Sequence, residues 1–341
     1  MKRRELVLAL VAAGCSRDRR PRLNVYNWSD YIGRNTIPRF ENEFGIRVRY
    51  GVYESNEEML AKILTGNSGW DVAFPTNHLL RPLKEMRLLA RLEQNRLPNL
   101  GNLDPRFLHP PLSVLLEYGV PYLWGGVGIV YNRRAVHPWP GAWADLWRAD
   151  LAGRLTMLDD PADVYYVCLK KLGYSIRTQN PEHYRAAQQE ALRQKPLVRA
   201  YINAEVRDQL VAGEVAAAQM WASTALQAIE GSGDLDFVYP AEGYARYFEA
   251  AVILAESRHR EQAHEFLNYL LRPEVAAEIV QVARNPSAVL GARNLLPAQL
   301  RDHPVLYPPE EVQRRGEWAD TVAPEIQRLR DRLWTELKAA G

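Results

Sequence analysis

Hydrophobic and polar residues alternate in the stretch LNVYNWSDYI, as they do along a strand with one buried face. The alternation runs from Leu23 to Asn27, and Trp28, Asp30 and Tyr31 follow directly. A period of two is typical of a half-buried β-strand. The stretch therefore predicts a strand that runs into two large aromatic side chains with a carboxylate between them.

The pattern then switches repeatedly between helical and extended periods. A helix is predicted in NTIPRFENEF, a strand in IRVRYGVY, a helix with the capping box Ser55–Glu58 in SNEEMLAKILTG, and an apolar strand in WDVAFPT. Farther along, GVGIVYN and LDFVYP predict strands, whereas EQAHEFLNYLL and the C-terminal EIQRLRDRLWTELKAAG predict helices. The β-α-β-α-β order predicts an α/β fold with a largely parallel sheet covered by helices.

Length and charge narrow the class of protein. A chain of 341 residues, 47% hydrophobic and 25% charged, can bury a sizeable core and is expected to form two domains. Seven of the 43 Lys and Arg residues, but only two of the 41 acidic residues, lie in residues 1–22. The rest of the chain is therefore slightly acidic, and we expect it to have no nucleic-acid partner.

The N-terminal stretch MKRRELVLALVAAGCSRDRR combines a basic start, an apolar run and small residues before Cys15. It predicts a signal peptide in residues 1–14, a lipid anchor on Cys15 that attaches the chain to a membrane, and a linker in residues 15–22. The alternative is that Cys15 is an ordinary residue of a buried helix. The other cysteine, Cys168, is predicted to be a small buried hydrophobic residue.

Polar and aromatic residues stand where an α/β sheet binds its ligands, just beyond the carboxyl ends of the strands. Trp28, Asp30 and Tyr31 follow the first strand, and Thr76 and His78 follow WDVAFP. Aromatic faces attract a cation, and a carboxylate neutralises its charge. These residues therefore predict a site for an organic cation, the alternative being a solvated Asp30 that caps the next helix beside core aromatics.

Acidic and aromatic residues recur together at the ends of later elements. They are Asp160 and Asp163 in MLDDPADVYY, Trp221 in QMWASTAL, and Tyr247 and Glu249 in EGYARYFEAAVILA. Each has a simpler explanation, namely helix capping for the two aspartates, core packing for Trp221, and an exposed edge for the strand residues. Their recurrence favours the cation site.

Enzymatic motifs are weak in this sequence. It has no Gly-x-Ser-x-Gly elbow, no complete dinucleotide fingerprint in WGGVGIVYN, no P-loop lysine and no histidine spacing typical of a metal site. We therefore predict no enzymatic activity, no cofactor and no metal site. A glycoside or ester hydrolase that uses two carboxylates is the remaining enzymatic alternative.

Several segments taken together resemble one family. YESNEEMLAKILTG, NLDPRF, VPYLWGGVGIVYN, LDDPADV, FLNYLLRPEVA and LYPPEEV appear in the order typical of periplasmic polyamine-binding proteins, which deliver spermidine or putrescine to an ABC importer. The resemblance covers nearly everything after residue 22. It implies a periplasmic or extracytoplasmic monomer whose partners are a polyamine and an ABC permease, the alternative being the same fold with another organic cation.

The resemblance also implies a two-lobed, type II-like periplasmic-binding-protein fold. Each lobe would be a mostly parallel sheet flanked by helices, and the ligand cleft would lie between the lobes. We expect residues 23–125 and 249–294 in the first lobe, and residues 126–248 and 295–341 in the second.

Roles within the cleft follow from position in the family pattern. Trp28 and Tyr31 would line the cleft, Asp30 would add an acidic contact, and Trp221 would stack on the ligand. Asp160 and Asp163 match an acidic pair that grips amines from the second lobe. Thr76 stands where the family has a serine, Tyr247 replaces an aromatic residue, and Glu249 replaces the main aspartate.

Four positions depart from the family pattern and leave the preferred amine open. His78 and Asn285 stand at or near tyrosines, Ala319 stands near a glutamine, and Thr224 replaces an aspartate of putrescine-type members. If His78 faces the ligand, its protonation near a pKa of about 6.5 would repel a cation. Affinity would then fall between about pH 8 and pH 5.5, and His78→Asn would remove that fall; the alternative is a His78 that points to solvent.

Overall fold

The computed structural model describes residues 20–109 and 116–340, so the predicted signal peptide and Cys15 lie outside the described residues. The strands are β1 (Arg22–Trp28), β2 (Arg47–Tyr53), β3 (Val72–Ala73), β4 (Gly119–Asn132), β5 (Leu155–Met157), β6 (Val198–Tyr201), β7 (Ala217–Trp221), β8 (Leu235–Val238), β9 (Tyr244–Ile253) and β10 (Gly316–Trp318). The α-helices are α1 (Thr36–Phe44), α2 (Asn56–Ile63), α3 (Leu80–Glu85), α4 (Pro161–Lys171), α5 (Pro181–Gln194), α6 (Val206–Val211), α7 (Ala222–Gly231), α8 (Arg260–Leu270), α9 (Pro273–Ala283), α10 (Ala298–Arg301), α11 (Glu310–Gln313) and α12 (Pro324–Ala339).

The long strand β4 belongs to two sheets. Its first part pairs with β9 in a sheet ordered β2-β1-β3-β9-β4, and its second part, from Val127, pairs with β7 and β8 in a sheet that continues to β5 and β6. The outer pairs β1–β2 and β1–β3 are parallel, as the β-α-β-α-β order predicts, and the pairs β5–β6 and β5–β7 are parallel as well. The pairings of β4 with β7, β8 and β9 are antiparallel, as is that of β3 with β9.

Local sequence explains most of these elements. Helix α2 begins where Ser55 Oγ accepts a hydrogen bond from Glu58 N at 3.1 Å, which confirms the predicted cap. The Glu58 carboxylate accepts from Glu54 N at 2.9 Å, one residue earlier than in the standard capping box. The predicted strand WDVAFPT is shorter than expected, because Pro75 has no N–H for the ladder and only Val72–Ala73 pair with their neighbours.

The apolar side chains form two large clusters, one in each lobe. The first contains Phe40, Phe74 and Phe266, and the second contains Trp143 and Tyr165; all five side chains are almost fully buried. Burial of this kind is the main source of folding free energy. The two clusters give each lobe a core of its own.

The polypeptide passes between the two cores more than once within the described residues. It does so along β4, and again along β9, where Tyr247 packs in the second cluster and Phe248 in the first. Leu306 still packs in the first cluster, whereas Ala319 packs in the second. The expected lobe boundaries as a whole stay a prediction. One segment differs from the expectation: residues 295–306, which we expected in the second lobe, contribute Leu296, Leu300 and Leu306 to the first core.

Across residues 20–109 and 116–340, no helix combines the length and the apolar character needed to cross a membrane.

Candidate functional site

A cavity of about 290 Å³ lies between the two lobes. Ten of the eleven predicted binding residues line it: Trp28, Asp30, Tyr31, Thr76, His78, Asp160, Asp163, Trp221, Tyr247 and Glu249. The eleventh, Asn285, is fully buried and donates a hydrogen bond from Nδ2 to the hydroxyl of Tyr31. Residues from distant parts of the sequence are therefore brought to one cleft. Thr224 and Ala319, two of the positions that depart from the family pattern, also line the cavity.

The first lobe supplies the aromatic side of the cavity. Trp28, at the end of β1, donates from its indole Nε1 to Phe74 O at 2.9 Å, and its ring lies 6.2 Å from that of Tyr31. Thr76 Oγ1 accepts from Asn56 Nδ2 at 3.0 Å. The indole bond fixes the orientation of the Trp28 ring, which lines the cavity beside Tyr31, and aromatic rings in a cavity wall can attract an organic cation.

Asp30 does not cap the next helix. The N-cap of α1 is Asn35, whereas Asp30 is an exposed residue with a φ of 59°, in the left-handed region. Aspartate tolerates this region better than most residues. The alternative explanation of Asp30 as a cap is therefore wrong, and Asp30 is among the residues that line the cavity.

The second lobe supplies two acids that are linked to an aromatic ring. Asp160 is the N-cap of α4, and its carboxylate accepts from Asp163 N at 3.0 Å. Asp163 Oδ2 accepts from the indole Nε1 of Trp221 at 2.8 Å. Asp160 thus caps α4 and also lines the cleft. Because Asp163 lies in the first turn of the same helix, it lines the cleft as well.

Burial makes these acids reluctant to ionise. It raises the pKa of Asp160 above its usual range, and it raises the pKa of Asp163 further, with the charge of Asp160 as the next cause. Two carboxylates that share a site disfavour each other's ionisation. A bound cation would reverse both effects, because it pairs with the charged form.

Glu249 occupies the most buried position among the cavity acids. The residue is only 3% exposed, and burial raises the pKa of its carboxyl group well above the usual range. Glu249 Oε2, Tyr247 OH and Asn285 Oδ1 are buried without a hydrogen-bond partner in the part of the chain that the structure describes. Unpartnered buried acceptors cost free energy, so this group is suited to a ligand that donates several hydrogen bonds.

A glycine of β4 makes room for these acceptors. A Cβ at Gly125 would lie 2.6 Å from Tyr247 OH and 3.0 Å from Asn285 Oδ1. Both acceptors therefore stand over the same backbone position. Tyr247 and Glu249 are two residues apart on β9 and face the same side of the sheet.

His78 faces the cavity, but the expected titration of its ring is wrong. Burial, followed by the positive charge of Arg330, lowers the pKa of His78 from 6.5 to about 3. The imidazole therefore stays neutral between pH 5.5 and pH 8. Its contribution to the wall is that of a polar aromatic ring without charge.

Arg330, on α12, was not predicted from the sequence. Its side chain is 3% exposed, Nη2 donates to Gln327 Oε1 at 2.6 Å, and Nε has no partner among the described residues. Its charge acts on Asp160 and Asp163 and lowers the pKa of each, against the larger effect of burial. No sequence pattern distinguishes it, because an arginine of an amphipathic helix is usually exposed.

Further cavity residues were also missed. They are Ser29, Glu54, Asn56, Ala162, Tyr166, Ala204, Glu205, Arg207, Ser223, Gln227, Ala245 and Ala283. Ser29 and Glu54 follow directly after the last residues of β1 and β2, so the rule that pointed to Trp28 could have found them. The described residues contain no group of three or more His, Cys, Asp or Glu side chains that could hold a metal ion.

The geometry of two lobes around a polar, aromatic cleft is that of a solute receptor. The family described as bacterial extracellular solute-binding protein matches residues 35–304. The chain belongs to this family. Bacterial extracellular solute-binding proteins are transport components that act outside the cytoplasm and are not enzymes, and the hydrolase alternative finds no support.

Individual relatives within the solute-binding family are similar over almost the whole chain. The spermidine/putrescine-binding periplasmic protein of Escherichia coli is 32% identical over 97% of this chain and 96% of its own length. The putrescine-binding periplasmic protein PotF of the same organism is 30% identical over 97% of this chain and 95% of its own. The solved structure of the TpPotD lipoprotein of Treponema pallidum has a TM-score of 0.83 at 26% identity and covers 93% of this chain and 99% of that one.

Proposed function

We propose that this solute-binding protein captures a polyamine between its lobes and delivers it to an ABC permease. The observation that carries the proposal is Glu249, a buried carboxylate that faces the cavity with an unpartnered oxygen. A buried charge without a partner costs several kcal/mol. An ammonium group would supply the missing charge, and its N–H donors match the unpartnered acceptors of Glu249 and Tyr247, which both line the cavity.

A second ammonium group would pair with the acids of the other lobe. Asp160 and Asp163 stand beside Trp221, whose ring offers a flat face to the methylene chain of a polyamine. A ligand that contacts Glu249 and Asp163 together bridges the lobes and therefore favours the closed form. The permease would recognise that closed form.

Calorimetry with putrescine, spermidine, spermine and agmatine tests the proposal. We expect Glu249→Gln and Asp163→Asn each to weaken binding of the preferred amine at least tenfold, because each substitution removes a charged partner of a buried cation. Glu117→Gln is the matched control, since that carboxylate lies on the surface of the first lobe and pairs with Arg91. Unchanged affinity of both site variants for all four amines would refute the assignment.

A different organic cation is the second candidate, and Arg207 is the observation that favours it. This side chain lines the cavity and donates from Nη1 to Gln227 Oε1 at 2.9 Å. A guanidinium in the wall suits a ligand with an amine at one end and a carboxylate at the other. Tighter binding of a linear ω-amino acid than of any of the four amines would favour this candidate.

We also propose that Cys15 carries a lipid. The support is the run Ala12-Ala13-Gly14 before this residue, together with the similarity to the T. pallidum lipoprotein. A Cys15→Ala variant that stays in the membrane fraction as fully as the wild type would contradict it.

A further inference from the structure

Two side chains from opposite lobes meet outside the cavity. Arg284 Nε donates to both carboxylate oxygens of Glu230, at 2.8 Å and 3.1 Å. Arg284 follows α9, whose buried face packs in the first core. Glu230 lies in the last turn of α7, which connects two strands of the second sheet, β7 and β8. The ion pair therefore spans the cleft.

Helix α7 turns one side toward the first lobe, and Glu230 is on that side. Ala222 and Leu226 are buried in the first core, although their helix belongs to the second sheet. Glu230 is the next residue at the same spacing of four, and residues four apart are neighbours along one side of a helix. Ala225 and Ala228 instead pack in a separate cluster of the second lobe.

The backbone at Arg284 indicates that its side chain has a role. Arg284 is the C-cap of α9 and has a φ of 55°, in the left-handed region. Glycine is the usual residue at such a position, because a side chain makes this conformation less favourable. A bulky residue in a strained conformation is a reason to look for a function of the side chain.

Arg284 and Glu230 each belong to a segment of the chain that also contributes to the cavity wall or supports it. Asn285, which bonds to Tyr31, is the next residue after Arg284. Trp221 and Ser223 stand at the opposite end of the helix that carries Glu230. A crevice of about 490 Å³, lined among others by Arg284 and Glu230, shares Asp30 and Gln227 with the cavity. The pair thus stands where the cavity continues toward the outside.

We infer that Arg284 and Glu230 form a clasp that holds the lobes closed and sets the rate at which the ligand leaves. The two residues act as positioning residues, since they contact each other and neither is among the residues that line the cavity. Opening of the lobes separates them, so the clasp stabilises the closed form alone. The inference rests on the proposed function for the identity of the ligand.

The size of the effect follows from the exposure of the pair. The Arg284 and Glu230 side chains are 23% and 42% exposed. Water and salt screen such a pair, so its loss is expected to speed release about two- to fivefold rather than a hundredfold. The rate of association is expected to stay the same or to rise, because the ligand enters the open form and loss of the clasp makes that form more populated.

Stopped-flow measurements with spermidine and putrescine test the clasp. We expect Arg284→Gln and Glu230→Gln each to speed dissociation about two- to fivefold, and the charge-reversed pair Arg284→Glu with Glu230→Arg to restore most of the wild-type rate. Arg272→Gln is the matched control, because Arg272 pairs with Glu43 at 2.6 Å within the first lobe. Wild-type dissociation rates in both single variants, or a charge-reversed pair as fast as they are, would overturn the inference.

A glycine variant distinguishes a role of Arg284 in the clasp from a role in stabilising the local backbone alone. Glycine suits the left-handed conformation, so Arg284→Gly is expected to have an unchanged or higher Tm and yet a faster release. A lower Tm with a wild-type release rate would identify Arg284 as a merely structural residue and overturn the clasp.

Small-angle X-ray scattering tests the clasp without any ligand. If neither amine binds the wild type, the proposed function fails, but the clasp still predicts larger radii of gyration for ligand-free Arg284→Gln and Glu230→Gln than for the wild type and Arg272→Gln. Equal radii in all four proteins would overturn it.

Discussion

At the residue scale, the site is governed by which side chains lose contact with water. Glu249 and Asp163 both face the cleft, and burial is the first cause of the raised pKa of each. The same burial pushes the pKa of His78 in the opposite direction, because it disfavours the charged form of any group. The ligand-free cavity is therefore less charged than its sequence suggests.

His78 gives a prediction at this scale. Because the pKa of His78 is about 3, it does not titrate between pH 5.5 and pH 8. Polyamine affinity is still expected to fall as the pH falls, since Asp160, Asp163 and Glu249 have raised pKa values and lose their charge on protonation. Calorimetry over this pH range should give parallel profiles for the wild type and His78→Asn; a flat profile in the variant would show that His78 carries the dependence.

At the element scale, the glycines of β4 have a structural explanation that does not involve phosphate binding. The stretch WGGVGIVYN belongs to the strand that joins the two sheets, and side chains from other elements pack against its glycines. A Cβ at Gly128 would lie 2.4 Å from Phe237 Cζ, and one at Gly125 would meet Tyr247 and Asn285. The absence of side chains at these positions lets aromatic rings approach the backbone.

Gly125→Ala tests this role of the strand. The added methyl group would displace the hydroxyl of Tyr247, a residue that lines the cavity, as well as the buried Oδ1 of Asn285, whose Nδ2 bonds to Tyr31. We therefore expect polyamine affinity to fall about fivefold or more, which corresponds to about 1 kcal/mol. Gly101→Ala is the control, because a Cβ there meets nothing within 4 Å. Calorimetry together with thermal unfolding is the measurement, and an affinity equal to that of the control would contradict the prediction.

At the scale of the whole molecule, the buried acids connect ligand binding to stability. Between the ordinary and the raised pKa of Glu249 and Asp163, the folded protein binds more protons than the unfolded chain. Their contribution to the free energy of unfolding is therefore fully present below their ordinary pKa values and is lost as the pH rises through the raised ones. Arginines lower the pKa of other acids, such as Glu43 and Asp302. The contribution of these acids to the free energy of unfolding is lost as the pH falls, but only at a lower pH than the range considered for Glu249 and Asp163.

Thermal unfolding between pH 5 and pH 8 tests this connection. The ligand-free wild type is expected to lose stability from these groups as the pH rises, and Glu249→Gln is expected to reduce that loss, since glutamine does not ionise. Spermidine is expected to raise the Tm more at pH 8 than at pH 5, because the ionised acids bind it better. Equal pH slopes in the wild type and the variant would exclude Glu249 as a source of the dependence.

The sequence by itself determined the elements of the first lobe and pointed to most of the residues that line the cavity. The alternation from Leu23 to Asn27 and the cap at Ser55 are local patterns, and both elements form where predicted. The ends of parallel strands meet at one edge of a sheet, which is why the order of the strands along the chain is enough to assign Trp28 and Thr76 to one site. The predicted strand WDVAFPT is shortened at Pro75 to β3, and β5, β6, β7 and β10 were not predicted as strands.

Only the tertiary structure decided the electrostatics of the site and the ion pair between the lobes. The effect of the buried Arg330 on Asp160 and Asp163, the lowered pKa of His78 and the pairing of Arg284 with Glu230 depend on burial and on residues far apart in the chain. The local periodicity of hydrophobic residues carries no information about the burial of a particular charged side chain or about its contacts with distant residues. A charged residue on a helix has the same pattern whether its side chain meets water, a buried carboxylate or the opposite lobe.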